Sequence, residues 1–312
     1  MATGLLTAPV CLAHDTGPGH PERPERVSAA LDRLAASGLM EDVESVLPDA
    51  APTEAITRLH PKEHIEELER VIASGARSVN EPDMSISASS WEAALVSSGA
   101  ALLSADRVIS GEWRNALCLV RPPGHHAEAT RAMGFCLINH AAIAARHLQE
   151  VHGLERVAII DFDVHHGNGT QHLFEDDPTV FYASLHQWPH YPGTGAATER
   201  GVGEGEGATL NVPLSAGCDD AVYLASLEEL VLPAVEEFRP EALILSSGFD
   251  AHARDPLGGM EVTTEGFGEM TRLFLDLADK TSQGRLISLL EGGYDLEGLA
   301  SSVEAHTAAL LG

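Results

Sequence analysis

Five short apolar runs, at residues 116–120, 157–160, 180–183, 242–245 and 286–290, constrain the fold of this chain more than any other feature. Each is apolar throughout apart from Ser288 in the last run, so it reads as a strand buried on both faces rather than one with a wet side. Between and around them lie amphipathic or alanine-rich segments of helical length, at 24–37, 89–110, 139–151, 219–238, 263–282 and 295–311. This alternation predicts an α/β fold: a central, mostly parallel sheet covered by helices. Nothing divides the 312 residues into compositional blocks, so one domain spanning 1–312 is expected. The two longest irregular stretches, 121–137 and 187–207, are rich in Gly, Pro and His, and each follows a predicted strand. Open α/β sheets bind ligands beyond the carboxyl ends of their strands, so these loops are expected to build one site.

Charge restricts the partners. Acidic residues number 47 and basic ones 19, only Lys62 and Lys280 of them lysines, for a net charge of −28. Such a surface repels a phosphate backbone, so direct nucleic-acid binding is not expected. It attracts cationic substrates or basic peptides, although a solvated acidic surface also serves solubility alone. Residues 1–12 are apolar but have no basic n-region, no cleavage pattern and far fewer than the roughly 20 apolar residues of a membrane span. A soluble cytoplasmic protein without a membrane partner is expected, its oligomeric state open and a homo-oligomer included. Cys11, Cys118, Cys136 and Cys218 show no Cys-x-x-Cys spacing and read as reduced, mostly buried thiols. The Gly-Glu-Gly-Glu-Gly run at 203–207 lacks a following Lys-Ser/Thr and carries acids, so it reads as a loop rather than a phosphate cradle.

Chemistry concentrates at the ends of the predicted strands. Asp161, Asp163 and His165 follow the run 157–160 at i, i+2 and i+4, spacings that place three side chains on one side of an extended backbone. Two carboxylates and an imidazole are costly in a core and good as ligands. Asp250 ends the segment Ser246–Asp250 that follows the run 242–245 and can reach the same rim. Three protein ligands with one open position is the arrangement of a catalytic zinc site, although iron(II) or cobalt tolerates the same oxygen-rich set. His125 and His126 stand on a proline-framed loop, where an imidazole can act as a base near neutral pH. Gly292 and Gly293 allow a sharp turn presenting the Tyr294 hydroxyl, a donor suited to the oxyanion of a tetrahedral intermediate.

Together these segments resemble the histone deacetylase family, and the likeness runs through nearly the whole chain. It implies a single-domain arginase/deacetylase-like fold with a sheet of about eight strands. It further implies zinc ligands Asp163, His165 and Asp250, a general base and acid His126, and an electrostatic partner His125. Tyr294 would polarise the substrate carbonyl, Asp161 would hold His125 and Asn168 would hold His126. An asparagine at 168 is similar to the class II branch, and as a neutral amide it supports an imidazolium less than a carboxylate would. The segment His20 to Arg26 also resembles that branch, with Arg26 corresponding to the arginine of an internal cavity for acetate.

By the same resemblance Gly134 and Phe135 form one wall of an acyl-lysine tunnel. Tyr191 stands opposite, where a phenylalanine is usual, and Asp83 falls where an acid or serine grips the substrate backbone, with Ser85 a nearby contender. Potassium would sit beside the zinc through Asp161, Asp163, His165, Ser184 and Leu185, and a peripheral cation near Phe174, Asp177 and Val180. Leu257 occupies the place of the glutamate gatekeeper found in polyamine-preferring relatives, which lowers the polyamine reading. The implied reaction is hydrolysis of an N-acyl amide, most simply ε-N-acetyl-lysine in a peptide or protein. The alternatives are an acetylpolyamine or other small-amide hydrolase and a non-catalytic module binding acyl-lysine. An arginase-like dimanganese centre is disfavoured, because Ala251 and His252 follow Asp250 where further paired acids are needed.

Overall fold

The computed structural model describes all residues, Met1–Gly312. Eight strands form one sheet: β1 (Ala2–Leu6), β2 (Val43–Val46), β3 (Trp113–Cys118), β4 (Val157–Asp161), β5 (Val180–Gln187), β6 (Thr209–Leu214), β7 (Ala242–Ser247) and β8 (Leu286–Leu290). Their order is β2-β1-β3-β8-β7-β4-β5-β6, and every pairing is parallel. The helices α1 (Pro9–Ala13), α2 (Glu25–Ser37), α3 (Thr53–Ile56), α4 (Lys62–Ala73), α5 (Ser90–Ile109) and α6 (His140–Glu150) come first. They are followed by α7 (Asn168–Phe174), α8 (Asp220–Ser226), α9 (Leu232–Phe238), α10 (Thr264–Thr281) and α11 (Leu296–Leu311).

The all-apolar strands make sense once both faces are followed. Ala158 and Ile160 of β4 join a core with α2, α8, α9, α10 and α11, whereas Val157 and Ile159 join one with α1, α5, α6 and α7. Strands sandwiched this way bury every side chain, so their sequence loses the alternation of a half-exposed sheet. All five predicted runs lie within or extend such strands. Three strands escape the sequence pattern: β1 lies in the apolar 1–12 stretch, β2 is only partly buried, and β6 is an edge strand carrying Pro213. The helix predicted over 219–238 is interrupted by a π turn at Leu227–Val231, just before Pro233, whose missing N–H breaks the regular ladder. No helix is long and apolar enough to cross a membrane.

A buried ionic clamp ties the loops at the carboxyl ends of the strands together. Glu22 accepts from Arg26 Nη1 (3.1 Å) and from both Nε and Nη2 of Arg121, and all three side chains are fully buried. Arg121 also donates to the carbonyls of Cys11 (2.7 Å) and His14 (3.0 Å), while Arg26 donates to those of Gly293 (2.6 Å) and Glu291 (2.5 Å). Burial alone would raise the Glu22 carboxyl, but the Arg121 charge together with hydrogen bonds from His14 and Arg121 outweighs it and holds the group well below its usual range. By contrast the two lysines, Lys62 beside Glu66 and Lys280 beside Glu236, are about two-thirds exposed and stabilise little.

Removing Glu22 strands two guanidinium groups without a counter-charge. Glu22→Ala is expected to lose about 3–5 kcal/mol of stability in urea denaturation, against less than about 0.5 kcal/mol for Lys62→Ala. Equal midpoints for the two variants would show that the clamp contributes nothing.

Candidate active site

The ladder of β4 stops at Asp161, so the extended backbone expected through His165 is not what gathers the acidic side chains. Short turns built by the carboxylates themselves do it. Asp161 Oδ1 accepts the Asp163 N–H (3.2 Å), and Asp163 Oδ1 accepts the His165 N–H (2.9 Å). Phe162 and Val164 point into the core between them, so the two-residue alternation outlives the strand.

Asp163, His165 and Asp250 converge. His165 Nδ1 lies 3.0 Å from Asp163 Oδ1 and 3.1 Å from Asp250 Oδ2. Backbone N–H groups hold the remaining oxygens, Gly292 on Asp163 Oδ2 (2.7 Å) and Val164 on Asp250 Oδ1 (2.8 Å). Glycine is required around the cluster: a Cβ at Gly248 would strike the Asp163 carboxylate, and one at Gly292 would strike both carboxylates. Burial and the Asp163 charge push the Asp250 carboxyl up to about 7. Burial opposes charge on His165, yet its two carboxylate partners raise it to about 10. Three ligand atoms within 4.8 Å of one another, with more negative charge than the imidazole balances, fit a divalent cation. Binding a metal to such a set is coupled to loss of the imidazole proton.

The adjacent histidines sit in opposite environments, with ring centroids 4.0 Å apart. His125 Nδ1 is 3.0 Å from Asp161 Oδ2, which also accepts the Tyr182 hydroxyl (3.1 Å). Burial disfavours its charge, but Asp161 and Asp163 overcome that and hold His125 well above the ordinary range. His126 Nδ1 meets only the amide oxygen of Asn168 (2.7 Å), so Nδ1 carries the proton and Nε2 is left to accept one. Burial and the charges of His125 and His165 hold His126 well below the ordinary range, hence neutral. Glu291 fixes the loop by accepting from the N–H groups of Gly124 (2.7 Å) and His125 (3.1 Å). Burial raises its carboxyl to about 7 against the pull of His125.

His126, His165 and Tyr294 line one pocket of about 220 Å³, together with Asp83, Gly134, Phe135, His190, Tyr191 and Leu257. Phe135 and Gly134 both adopt positive φ (66° and 56°) in a tight turn closed by reciprocal bonds between Met133 and Cys136. A Cβ on Gly134 would fall onto the His126 ring. Tyr294 is held by the Asp255 carboxylate on its N–H (2.6 Å), and burial keeps its phenol protonated. A larger groove of about 640 Å³ between α10 and α11 is lined by Arg114, Glu269, Arg272 and Asp276 and gathers none of this chemistry.

Other residues singled out from the sequence lie behind or away from this pocket. Arg26 does not line it; its guanidinium sits 4.8 Å over the Tyr294 ring with every donor group engaged by Glu22, Glu291 and Gly293. Ser184 pairs with Asp161 in the β4–β5 register, and Leu185 follows it, both buried. Phe174, Asp177 and Val180 are remote, where Arg146 pairs with Asp177 (2.5 Å) and lies over the Phe174 ring. The sequence reading missed His190, which stacks on His165 at 5.0 Å and donates to the Leu257 carbonyl, and the anchors Tyr182, Asp255 and Glu22.

A family model described as the histone deacetylase domain matches residues 20–310. The chain belongs to the histone deacetylase family. A protein of Archaeoglobus fulgidus called a probable deacetylase is 39% identical over 300 residues, covering 96% of this chain and 83% of that protein. The human polyamine deacetylase HDAC10 is 40% identical over 302 residues, covering 93% of this chain and 44% of the human protein. The crystal structure of the HDA15 HD domain superposes with a TM-score of 0.95 at 37% identity, over 99% of this chain and 88% of the other. Membership of the histone deacetylase family makes the chain a hydrolase of the deacetylase/amidohydrolase kind.

Gly134→Ala tests how tightly the family's histidine loop is packed. The added methyl is expected to displace His126 and cut the rate of amide hydrolysis by at least about tenfold while the fold is kept, because small misplacements near reacting groups carry large rate costs. An unchanged rate would mean that the His126 ring position does not matter.

Proposed function

We propose that this chain is a zinc-dependent hydrolase of N-acyl amides, with ε-N-acetyl-lysine in peptides or proteins the simplest substrate and the free amine and acetate the products. The observation that carries this reading is a single pocket whose lining joins the neutral His126, the Tyr294 hydroxyl and the ligand His165. Asp163, His165 and Asp250 would hold zinc, and iron(II) or cobalt suits the same donors. Bound there, the metal would supply Lewis acidity toward the scissile carbonyl and toward a water.

The chain's own groups do the rest. His126 accepts the water proton at Nε2, since its Nδ1 proton is committed to Asn168. His125, charged against Asp161, steadies the negative charge that develops beside it. Tyr294 donates its hydroxyl to the oxyanion, and the histidine pair returns a proton to the departing amine. Gly134, Phe135, Tyr191 and Leu257 sheathe the alkyl stem, and Asp83 at the rim meets the substrate's backbone N–H. Arg26 acts indirectly, by bracing the turn that presents Tyr294. Potassium beside the site would use main-chain oxygens around Asp161, Asp163, His165, Ser184 and Leu185, with a second, peripheral cation near Phe174, Asp177 and Val180. Four unpaired cysteines suit a reducing compartment, and we place the protein in the cytoplasm.

A panel of acyl-lysine peptides and acetylated putrescine and spermidine, run with Asp250→Asn as control, tests the proposal. Release of acetate from the peptides by the zinc-loaded chain and none by the control is the expected outcome. Faster turnover of the acetylpolyamines would move the substrate to small amines, which Leu257 at the rim argues against because it offers no charge to a second amine. Binding of acyl-peptide without any acetate release would overturn catalysis.

Two substitutions separate the roles. Tyr294→Phe is expected to lose on the order of 100- to 1000-fold in kcat while keeping its zinc content. Asp250→Asn is expected to lose the ion of this site and the activity, read as a fall of one metal per chain alongside the assay.

A further inference from the structure

Asp106, His147 and His152 form a second cluster of metal-ligating side chains, remote from the pocket. His147 Nε2 and His152 Nε2 each lie 2.7 Å from the same carboxylate oxygen, Asp106 Oδ1. All three ligand atoms fall within 4.8 Å of one another, and the two rings meet edge to face with centroids 5.2 Å apart. The carboxylate pairs with these imidazoles and with no lysine or arginine; its neighbour Arg107 pairs with Glu112 instead.

The scaffold beneath is rigid. Asp106 stands in the last turn of α5 and His147 in that of α6, and alanines at 100, 101, 105, 141, 144 and 145 in their shared core let the two helices approach closely. The chain then turns back through Gly153 at φ 73°, whose N–H bonds the Gln149 carbonyl (3.0 Å), while the next N–H bonds that of Leu148 (3.1 Å). That turn carries His152 onto the same oxygen. Because it leads directly into the start of β4, the cluster lies at the amino ends of the strands, opposite the candidate active site.

We propose that Asp106, His147 and His152 form a peripheral binding site for a divalent transition-metal ion that staples α5 to the end of α6. Two imidazoles and one carboxylate select zinc, cobalt, nickel or copper over magnesium and calcium, which prefer oxygen alone. Bonds of about 2.0 Å in a tetrahedron put ligand atoms about 3.3 Å apart. Each nitrogen therefore has to retreat from the oxygen by roughly half an ångström, a small rotamer adjustment at side chains that are 12%, 20% and 47% exposed for His147, His152 and Asp106. The open side toward solvent leaves room for water to complete the shell.

Zinc counting on the full chain tests this. Wild type, Asp250→Asn and the double variant His147→Ala/His152→Ala are equilibrated against buffered free zinc, and bound metal per chain is measured by mass spectrometry. Two ions in wild type and one in each variant is the expected result. In the Asp250→Asn background, zinc at about 100 times its Kd is expected to raise Tm by on the order of 5 °C, an effect that magnesium does not reproduce and that Asp106→Asn abolishes. Asp106→Asn also replaces the double variant if the latter does not fold. No ion in Asp250→Asn, or no drop in bound metal when the histidines or the Asp106 charge are removed, would overturn the proposal and leave the cluster a hydrogen-bonded surface contact.

Discussion

Burying charge at the ends of parallel strands is the constraint on which the rest of this molecule depends. Asp161, Asp163, Asp250, Glu291 and Glu22 are all withdrawn from water, and a lone carboxylate in such surroundings neutralises or unfolds the protein. Each is given partners: backbone N–H groups for Asp163, Asp250 and Glu291, an imidazole for Asp161, two guanidiniums for Glu22. Deep apolar strands on both sides of the sheet make this tolerable, because they fix the loops that supply those partners. Core and site are thus one construction. The sheet buries the charges, and the charges pin the loops.

Environment, rather than residue type, separates the two neighbouring histidines. Both rings are buried, but His125 faces the carboxylates of Asp161 and Asp163, whereas His126 has only an amide partner and lies beside the charges of His125 and His165, so one goes toward the imidazolium and the other toward the neutral ring. Each ring is then held by a partner that also answers to others: Asp161 to Tyr182, and Asn168 to Glu128 through its amide nitrogen (2.5 Å).

What could be read in the sequence was what local spacing records. The five central strands announced themselves because burial on both faces demands unbroken apolar runs, and the edge strands β2 and β6 did not because water or Pro213 relieves that demand. Asp161, Asp163 and His165 stood out through a spacing of two, although turns and not a ladder enforce it. Contacts between distant segments leave no such trace: Glu22 meets Arg121 across 99 positions, and Asp255 reaches the Tyr294 N–H across 39. His190 was overlooked beside Tyr191 for a related reason. Its importance comes from stacking on His165, a ring 25 positions away in the chain.

The scarcity of lysine in this chain bears on its own chemical exposure. Lys62 and Lys280, the only side-chain amines present, lie out on helices α4 and α10 beside glutamates, far from any group the pocket uses. Reactive acyl donors in the surrounding medium therefore find little on this protein to modify, and what they do modify is structurally idle. Arginine, which resists such acylation, carries the buried cationic duties at positions 26 and 121. A fold built this way keeps its buried structure clear of amine acylation.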